Sequence, residues 1–145
     1  MKYFSTILAL VLIGLEGRCQ TLDAKELDSF WKQLIYNLTV HDSIAVSDLI
    51  HFPLKNAQIL VGRYNEAGLT REEFLNNHHK LFTTELIDQI VGSDLNDLSR
   101  SKSKDNEFVF ARTFSSNDQQ TKYSIALFIS KVKHNYRLTR IEFAG

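Results

Sequence analysis

The sequence predicts an α+β domain in which N-terminal helices cover one face of a mainly antiparallel sheet. Two observations indicate this class. Apolar residues recur at helical spacing through most of the first two thirds of the chain, and they alternate at every second position in the last third. Because helices and strands are segregated along the chain, an α+β arrangement is expected rather than a parallel α/β sheet.

The chain opens with MKYFSTILALVLIGLEGRCQ, which has the order of a secretory signal peptide. The apolar run from Ile7 to Leu15 is too short for a permanent membrane span. Gly17 and Cys19 are small residues at the positions that precede a cleavage site, so residues 1–19 are expected to be removed. Lipidation of Cys19 is the alternative, but Arg18 argues against it because such sites usually require a small residue there. The protein is therefore expected to be exported, and to be periplasmic or secreted.

Residues 20–145 are expected to form one domain with a core that needs neither disulfides nor a structural metal. The whole chain has 17 Lys and Arg residues against 17 Asp and Glu residues. This balance gives no broad attraction to nucleic acid or to anionic lipid, and neither is an expected partner. Cys19 is the only cysteine, so cleavage after it would leave no thiol for catalysis.

Helical segments are predicted before the sheet. The first runs from about Asp23 to Val40, with an apolar stripe that includes Trp31. A short second helix is expected to stop at Pro53, since proline lacks a donor and restricts the residue before it. Residues Leu54 to Tyr64 are predicted to form a strand.

A capping box marks the next helix most clearly. Thr70 and Glu73 stand at the spacing at which each side chain bonds the other's backbone N–H group. Another helix is predicted from about Thr84 and ends at Gly92. Residues 93–106 are polar and are expected to form a loop.

The last third of the chain is predicted to form three strands. They cover Glu107 to Ser115, Thr121 to Val132 and Tyr136 to Phe143, with turns between them. Their alternation predicts that each strand buries one face.

Several short motifs occur in a recognisable order. The first helix contains Phe30-Trp31, Phe52-Pro53-Leu54 follows the short helix, Leu69-Thr70-Arg71-Glu72-Glu73-Phe74 opens a later one, and three strands end the chain. In this order the chain resembles the nuclear-transport-factor-2-like superfamily, and in particular its small exported bacterial members of uncharacterised function. The resemblance covers nearly all of residues 20–145. It implies a cone-shaped, strongly curved sheet with a pocket at its mouth, between the first helix and the concave face.

Residues of the kind that contact ligands occur on several predicted elements. The candidates for ligand binding are Trp31, Tyr36, Tyr64, His78, Arg112 and Tyr123. Aromatic residues line pockets but also fill cores. Arg112 shares a strand face with Phe108, Phe110 and Phe114, and a guanidinium buried there would need an anionic ligand or a carboxylate of the protein. The alternative is that this face curves out to solvent.

Two adjacent histidines lie within the helix that Thr70 opens. Because consecutive helical side chains point about 100° apart, His78 and His79 are not expected to share a metal ion. His78 is either a half-buried pocket residue or an ordinary structural one. His41 and Asp42 could form an acid–base pair, although Asp42 is more readily explained as a helix cap. No glycine-rich phosphate loop and no G-x-S-x-G motif occurs, so neither a cofactor nor a catalytic nucleophile is expected.

Fold alone does not assign a function within this superfamily. The resemblance implies either isomerases, dehydratases and polyketide cyclases or non-catalytic transport and binding proteins. The missing acid–base pair favours non-catalytic binding of a small molecule or protein partner in or around the cone. One alternative is a small lyase or isomerase that acts on an apolar substrate in the cone. Another is a structural protein that forms a homodimer through the outer face of its sheet.

Overall fold

The computed structural model describes residues 23–63, 66–102, 104–115 and 122–145 of this protein. Within them the α+β class is confirmed: helices pack with a five-stranded mixed sheet, four of whose strands follow the last α-helix. The predicted signal peptide, residues 1–19, lies outside the described residues, as does Tyr64. Among the helices of the described part, none has the length and apolar character needed to cross a membrane.

The elements follow one another in the predicted order. The helices are α1 (23–39), α2 (Ser43–Asp48), α3 (Arg71–Leu81) and α4 (Thr84–Val91), with 3₁₀ helices at Ala57–Val61 and Leu95–Asp97. The strands are β1 (Ile50–Lys55), β2 (Ser99–Arg100), β3 (Glu107–Ser115), β4 (Lys122–Val132) and β5 (Asn135–Ala144).

The sheet has the strand order β1-β5-β4-β3-β2 and is open. Strands β2, β3, β4 and β5 pair antiparallel in this series, whereas β1 runs parallel to β5. The register between β4 and β5 shifts between Phe128 and Ile129. Such an irregularity bends a strand and increases its twist.

One face of the sheet and the apolar sides of the helices form a single core. Each long strand contributes fully buried side chains to this core, among them Phe110 of β3, Leu127 of β4 and Leu138 of β5. From α1, Trp31 and Leu34 enter the same core. Burial of one such side chain contributes about 1.5–3 kcal/mol, so this shared core holds α1 on the sheet.

Side-chain caps fix the starts of the shorter helices. Thr70 and Glu73 form the predicted capping box of α3. Thr83 caps α4, and Asp42 caps α2 by accepting from the backbone N–H of Ala45 at 2.9 Å. The interpretation of Asp42 as a cap is therefore confirmed.

The predictions around Pro53 were wrong. Helix α2 ends at Asp48, and Pro53 lies within β1. Because β1 is an edge strand, the missing N–H group of proline leaves no ladder bond broken. The strand predicted over residues 54–64 ends at Lys55, since Asn56 turns the chain with φ of 61° into the 3₁₀ helix.

The loop predicted over residues 93–106 also contains regular structure. Asp94 and Asp97 form a capping box around the short 3₁₀ helix. The two residues of β2 then pair with Val109 and Phe108 of β3. Neither element is long enough to produce a periodic pattern in the sequence.

Candidate functional site

The space between α1 and β3, where the resemblance placed the pocket, is packed with aromatic side chains. Trp31 is only 2% exposed, and its ring lies 5.2 Å from that of Phe110 between centroids. The indole Nε1–H group of Trp31 has no hydrogen-bond partner among the described residues. Trp31 is thus part of the core, beneath the first helix.

Arg112 points along the aromatic face of β3 and has its partner within the chain. Its Nη2 donates to Oδ1 of Asp97 at 2.5 Å, and its Nη1 donates to the carbonyl of Ala111 at 3.0 Å. The guanidinium also lies 4.3 Å from the centre of the Phe110 ring. The backbone N–H of Asp94 and then the Arg112 guanidinium lower the pKa of Asp97. Of the two partners that the sequence allowed for Arg112, the structure provides the internal carboxylate.

Tyr123 belongs to a row of three rings across neighbouring strands. Its ring stacks on Phe114 at 5.3 Å and approaches Phe143 at 5.6 Å between centroids. The Tyr123 hydroxyl donates to Oε2 of Glu85 in α4 at 3.3 Å. Burial and then the negative charge of Glu85 raise the pKa of Tyr123. Phe143 is 47% exposed, so this row reaches the surface.

Of the other two candidate tyrosines, Tyr36 is not brought to a common site with these residues. Tyr36 is 66% exposed on the outer side of α1. Tyr64 lies outside the described residues. Of the five candidates that the structure describes, Trp31 and Arg112 both lie against the ring of Phe110, whereas Tyr36, His78 and Tyr123 have different surroundings.

A cavity of about 190 Å³ lies among the four helices, and His78 lines it. We call it the helical cavity. Its apolar lining comes from every helix and from the α3–α4 junction: Leu38, Val46, Phe74, Phe82 and Ile87. Its polar lining consists of Asn37, His41, Ser43, His78, His79 and Thr84. None of these described lining residues carries a carboxylate, an ammonium or a guanidinium group.

The size and lining of the helical cavity suit a small molecule. An apolar cavity of about 150 Å³ is large enough to hold benzene. Most pockets for drug-sized ligands are larger, at about 300–1,000 Å³. The helical cavity could thus take a small, mainly apolar molecule whose polar group reaches the amide, hydroxyl or imidazole groups of the lining.

His78 has one ring nitrogen committed within its own helix. Nδ1 of His78 lies 3.0 Å from the carbonyl oxygen of Leu75. A carbonyl can only accept, so Nδ1 carries the hydrogen, and Nε2 is the acceptor of the neutral ring. The half-buried ring also lies against Phe74, at 6.5 Å between centroids, and His79, at 5.9 Å.

The other two histidines that line the helical cavity come from different segments of the chain. His41 follows α1, whereas His79 is the neighbour of His78 in α3; both are exposed. In the described part of the chain, no three His, Cys, Asp or Glu side chains are placed to hold a metal ion.

His78 was among the residues predicted from the sequence, but the cavity that surrounds it was not. A weak signal was present: Asn37 and His41, and Phe74 and His78, each stand four residues apart near the ends of helices. Residues at this spacing share a helix face. Neither pair, however, shows that the face near the end of α1 and the face of α3 meet around a cavity.

Comparison with known proteins adds no functional assignment. A scan against protein-family models and a search of curated proteins found no match to this chain.

Proposed function

We propose that this protein is an exported binding protein that takes up a small molecule in its helical cavity without transforming it. The observation that carries the proposal is the lining of that cavity. Apolar side chains from four helices line a partly open volume, and polar groups capable of hydrogen bonding stand among them. This combination of apolar walls and a few polar groups is typical of small-molecule sites.

The cavity is a better candidate than the space between α1 and the sheet. There, Trp31 packs on Phe110, and Arg112 is occupied by Asp97. A ligand between these elements would have to displace contacts that the chain already makes. A ligand in the helical cavity would occupy existing space and would not have to displace such contacts.

Binding without catalysis is favoured by the groups around the cavity. General acid–base chemistry needs a base with an orienting partner and a second group placed at the reacting atoms. In the described lining the Leu75 carbonyl orients His78, but no carboxylate is present as a second acid–base group. The alternative of a small lyase or isomerase therefore has less support.

Membership of the nuclear-transport-factor-2-like superfamily is part of the same proposal. The long first helix, the short helix, β1, the capped helix α3 and the three long C-terminal strands follow the order of that superfamily. The register shift between Phe128 and Ile129 supports a curved sheet. Homodimer formation through the outer face of the sheet stays a prediction.

Export is proposed on the signal-peptide pattern of residues 1–19. Intact mass measurement of the protein recovered from its exporting host tests this. The expected chain begins at Gln20. A chain that keeps residues 1–19 would contradict the proposal, and a lipid on Cys19 would support the lipoprotein alternative.

A cavity-filling substitution tests the binding site. Ile87 lines the cavity, whereas Val91 stands one turn later in α4 and is 41% exposed. We expect Ile87→Trp to weaken binding of benzyl alcohol tenfold or more, or about 1.4 kcal/mol. Val91→Trp is the matched control and should bind like the unchanged protein. Equal affinities of all three proteins, measured by NMR titration, would contradict the assignment.

A further inference from the structure

We infer that the natural ligand of the helical cavity is a small, mainly apolar carboxylic acid, held as a carboxylate by the protonated ring of His78. This inference rests on the proposed binding function and specifies the chemical class of the ligand. It follows from the hydrogen bond of His78 and from the charges around the cavity.

The bond between Nδ1 of His78 and the carbonyl of Leu75 determines what the ring can offer a ligand. Since that nitrogen already donates, only Nε2 is left for a bound molecule. In the neutral ring Nε2 accepts, and it becomes a donor when the ring takes up a proton. The Leu75 bond is kept in both states, so protonation requires no rearrangement of the ring.

A carboxylic acid matches both states of this nitrogen. As the neutral acid, it donates its O–H group to Nε2. Transfer of that one proton to Nε2 leaves an imidazolium that donates to a carboxylate, and no bond to carbon changes. Where the acid is already ionised in water, the same pair forms with one proton taken up from the solvent. Charge-assisted bonds of this kind are roughly twice as strong as neutral ones.

The surroundings of His78 favour a negative rather than a positive ligand. The other titratable groups of the described lining are His41 and His79; α1, α2 and α4 contribute only uncharged side chains. Four carboxylates adjoin lining residues in sequence, and none of them lines the cavity. Asp42 caps α2, Glu73 belongs to the capping box of α3, Glu85 accepts from Tyr123, and Asp88 is exposed on α4. An ammonium group in the cavity would therefore meet no anionic partner among the described lining residues.

Benzoate and benzyl alcohol are suitable probes because they share a ring and differ in the head group. We would measure the binding of each to the purified protein by calorimetry at about pH 6, 7 and 8, in buffers of different ionisation enthalpy. Benzoate affinity is expected to rise as the pH falls, by up to about tenfold per pH unit, with uptake of a proton. Benzyl alcohol affinity should not depend on pH.

Two variants assign the proton to a residue. His78→Gln should weaken benzoate about tenfold and remove the proton uptake. His134 lies in an exposed turn between β4 and β5, so His134→Gln is the control. It should leave the benzoate affinity and the proton uptake unchanged. Proton uptake by the unchanged protein tests the inference even if His78→Gln folds poorly.

The outcomes separate this inference from the proposed function. If benzyl alcohol binds but benzoate binds no better at low pH and takes up no proton, the carboxylate inference is overturned and the cavity remains a binding site. If neither probe binds at any pH, the proposed function itself is overturned.

Discussion

The guanidinium of Arg112 and the carboxylate of Asp97 form an ion pair, with 2.5 Å between Nη2 and Oδ1. It joins β3 to the short 3₁₀ helix that precedes β2. Asp97 thus supplies the carboxylate that Arg112 needs on the aromatic face of β3. Arg112 is thereby assigned a structural role, whereas ligand binding is proposed for the helical cavity.

Replacement of Arg112 tests this assignment. Arg112→Ala removes the ion pair and the packing on Phe110, so we expect a loss of about 1 kcal/mol in the free energy of unfolding. Affinity for benzyl alcohol should stay the same, because Arg112 does not line the helical cavity. Chemical denaturation and an NMR titration measure the two quantities. A weaker affinity for benzyl alcohol with an unchanged free energy of unfolding would contradict this assignment and indicate that Arg112 contacts the ligand.

The same ion pair predicts a pH dependence of stability. The pKa of Asp97 is lowered in the folded protein, mainly by the backbone N–H of Asp94 and then by Arg112. The stabilisation is therefore complete above the unfolded pKa and is lost as the pH falls through the lower, folded pKa. We expect the difference in stability between the unchanged protein and Asp97→Asn to be constant from about pH 5 to 7 and to shrink below about pH 4. A difference that persists in strong acid would show that the carboxylate charge is not its source.

Tyr123 and Glu85 predict an effect at alkaline pH. Burial and the charge of Glu85 raise the pKa of Tyr123, so its contribution to stability is present below about pH 10 and is lost as the pH rises through the folded pKa. Glu85→Gln should lower the pH at which this phenol ionises, as followed by ultraviolet absorbance. Tyr123→Phe identifies the transition by removing it. A titration that is the same with and without Glu85 would contradict the contact.

A buried carboxylate on the other face of the sheet predicts strong coupling between two residues. Glu107 is 5% exposed and accepts from the Ser130 hydroxyl at 3.2 Å. Nη2 of Arg140 lies 3.5 Å from Oε2 of Glu107, and its guanidinium lies 3.7 Å from the centre of the Phe128 ring. Removing Arg140 would leave the buried carboxylate of Glu107 without this counter-charge.

We therefore expect Arg140→Met to cost about 2 kcal/mol in the free energy of unfolding. Combination with Glu107→Gln should cost less than the sum of the two single changes, with a coupling of about 1 kcal/mol or more. Thermal and denaturant unfolding of the four proteins measure this cycle. Strictly additive losses would mean that the two side chains do not interact.

Elements with a strong local signal could be predicted from the sequence. The apolar stripe of α1, the capping box at Thr70 and the alternation in β3 to β5 each depend on nearby residues. The place of Pro53 was predicted wrongly because it depends on β1 being an edge strand, which is a property of the whole sheet. Likewise, Asn56 breaks the predicted strand through a left-handed backbone conformation that its sequence context did not indicate.

The candidate site was predictable only in part, for a similar reason. His78 could be selected because a histidine near apolar helical positions suits a pocket. Its cavity, however, is lined by residues from four helices that are far apart in sequence, such as Leu38 and Ile87. The carboxylate that pairs with Arg112 could not be predicted either, because Asp97 lies in a stretch whose composition is typical of a polar loop.

The most direct test of the central claim is a set of intermolecular nuclear Overhauser effects between benzyl alcohol and the methyl-labelled protein. Binding in the helical cavity predicts contacts from the ring protons of the ligand to the methyl groups of Leu38, Val46 and Ile87, which line it. Contacts confined to methyl groups elsewhere, such as Ile125 beside the aromatic row on β4, or none at saturating ligand, would contradict it.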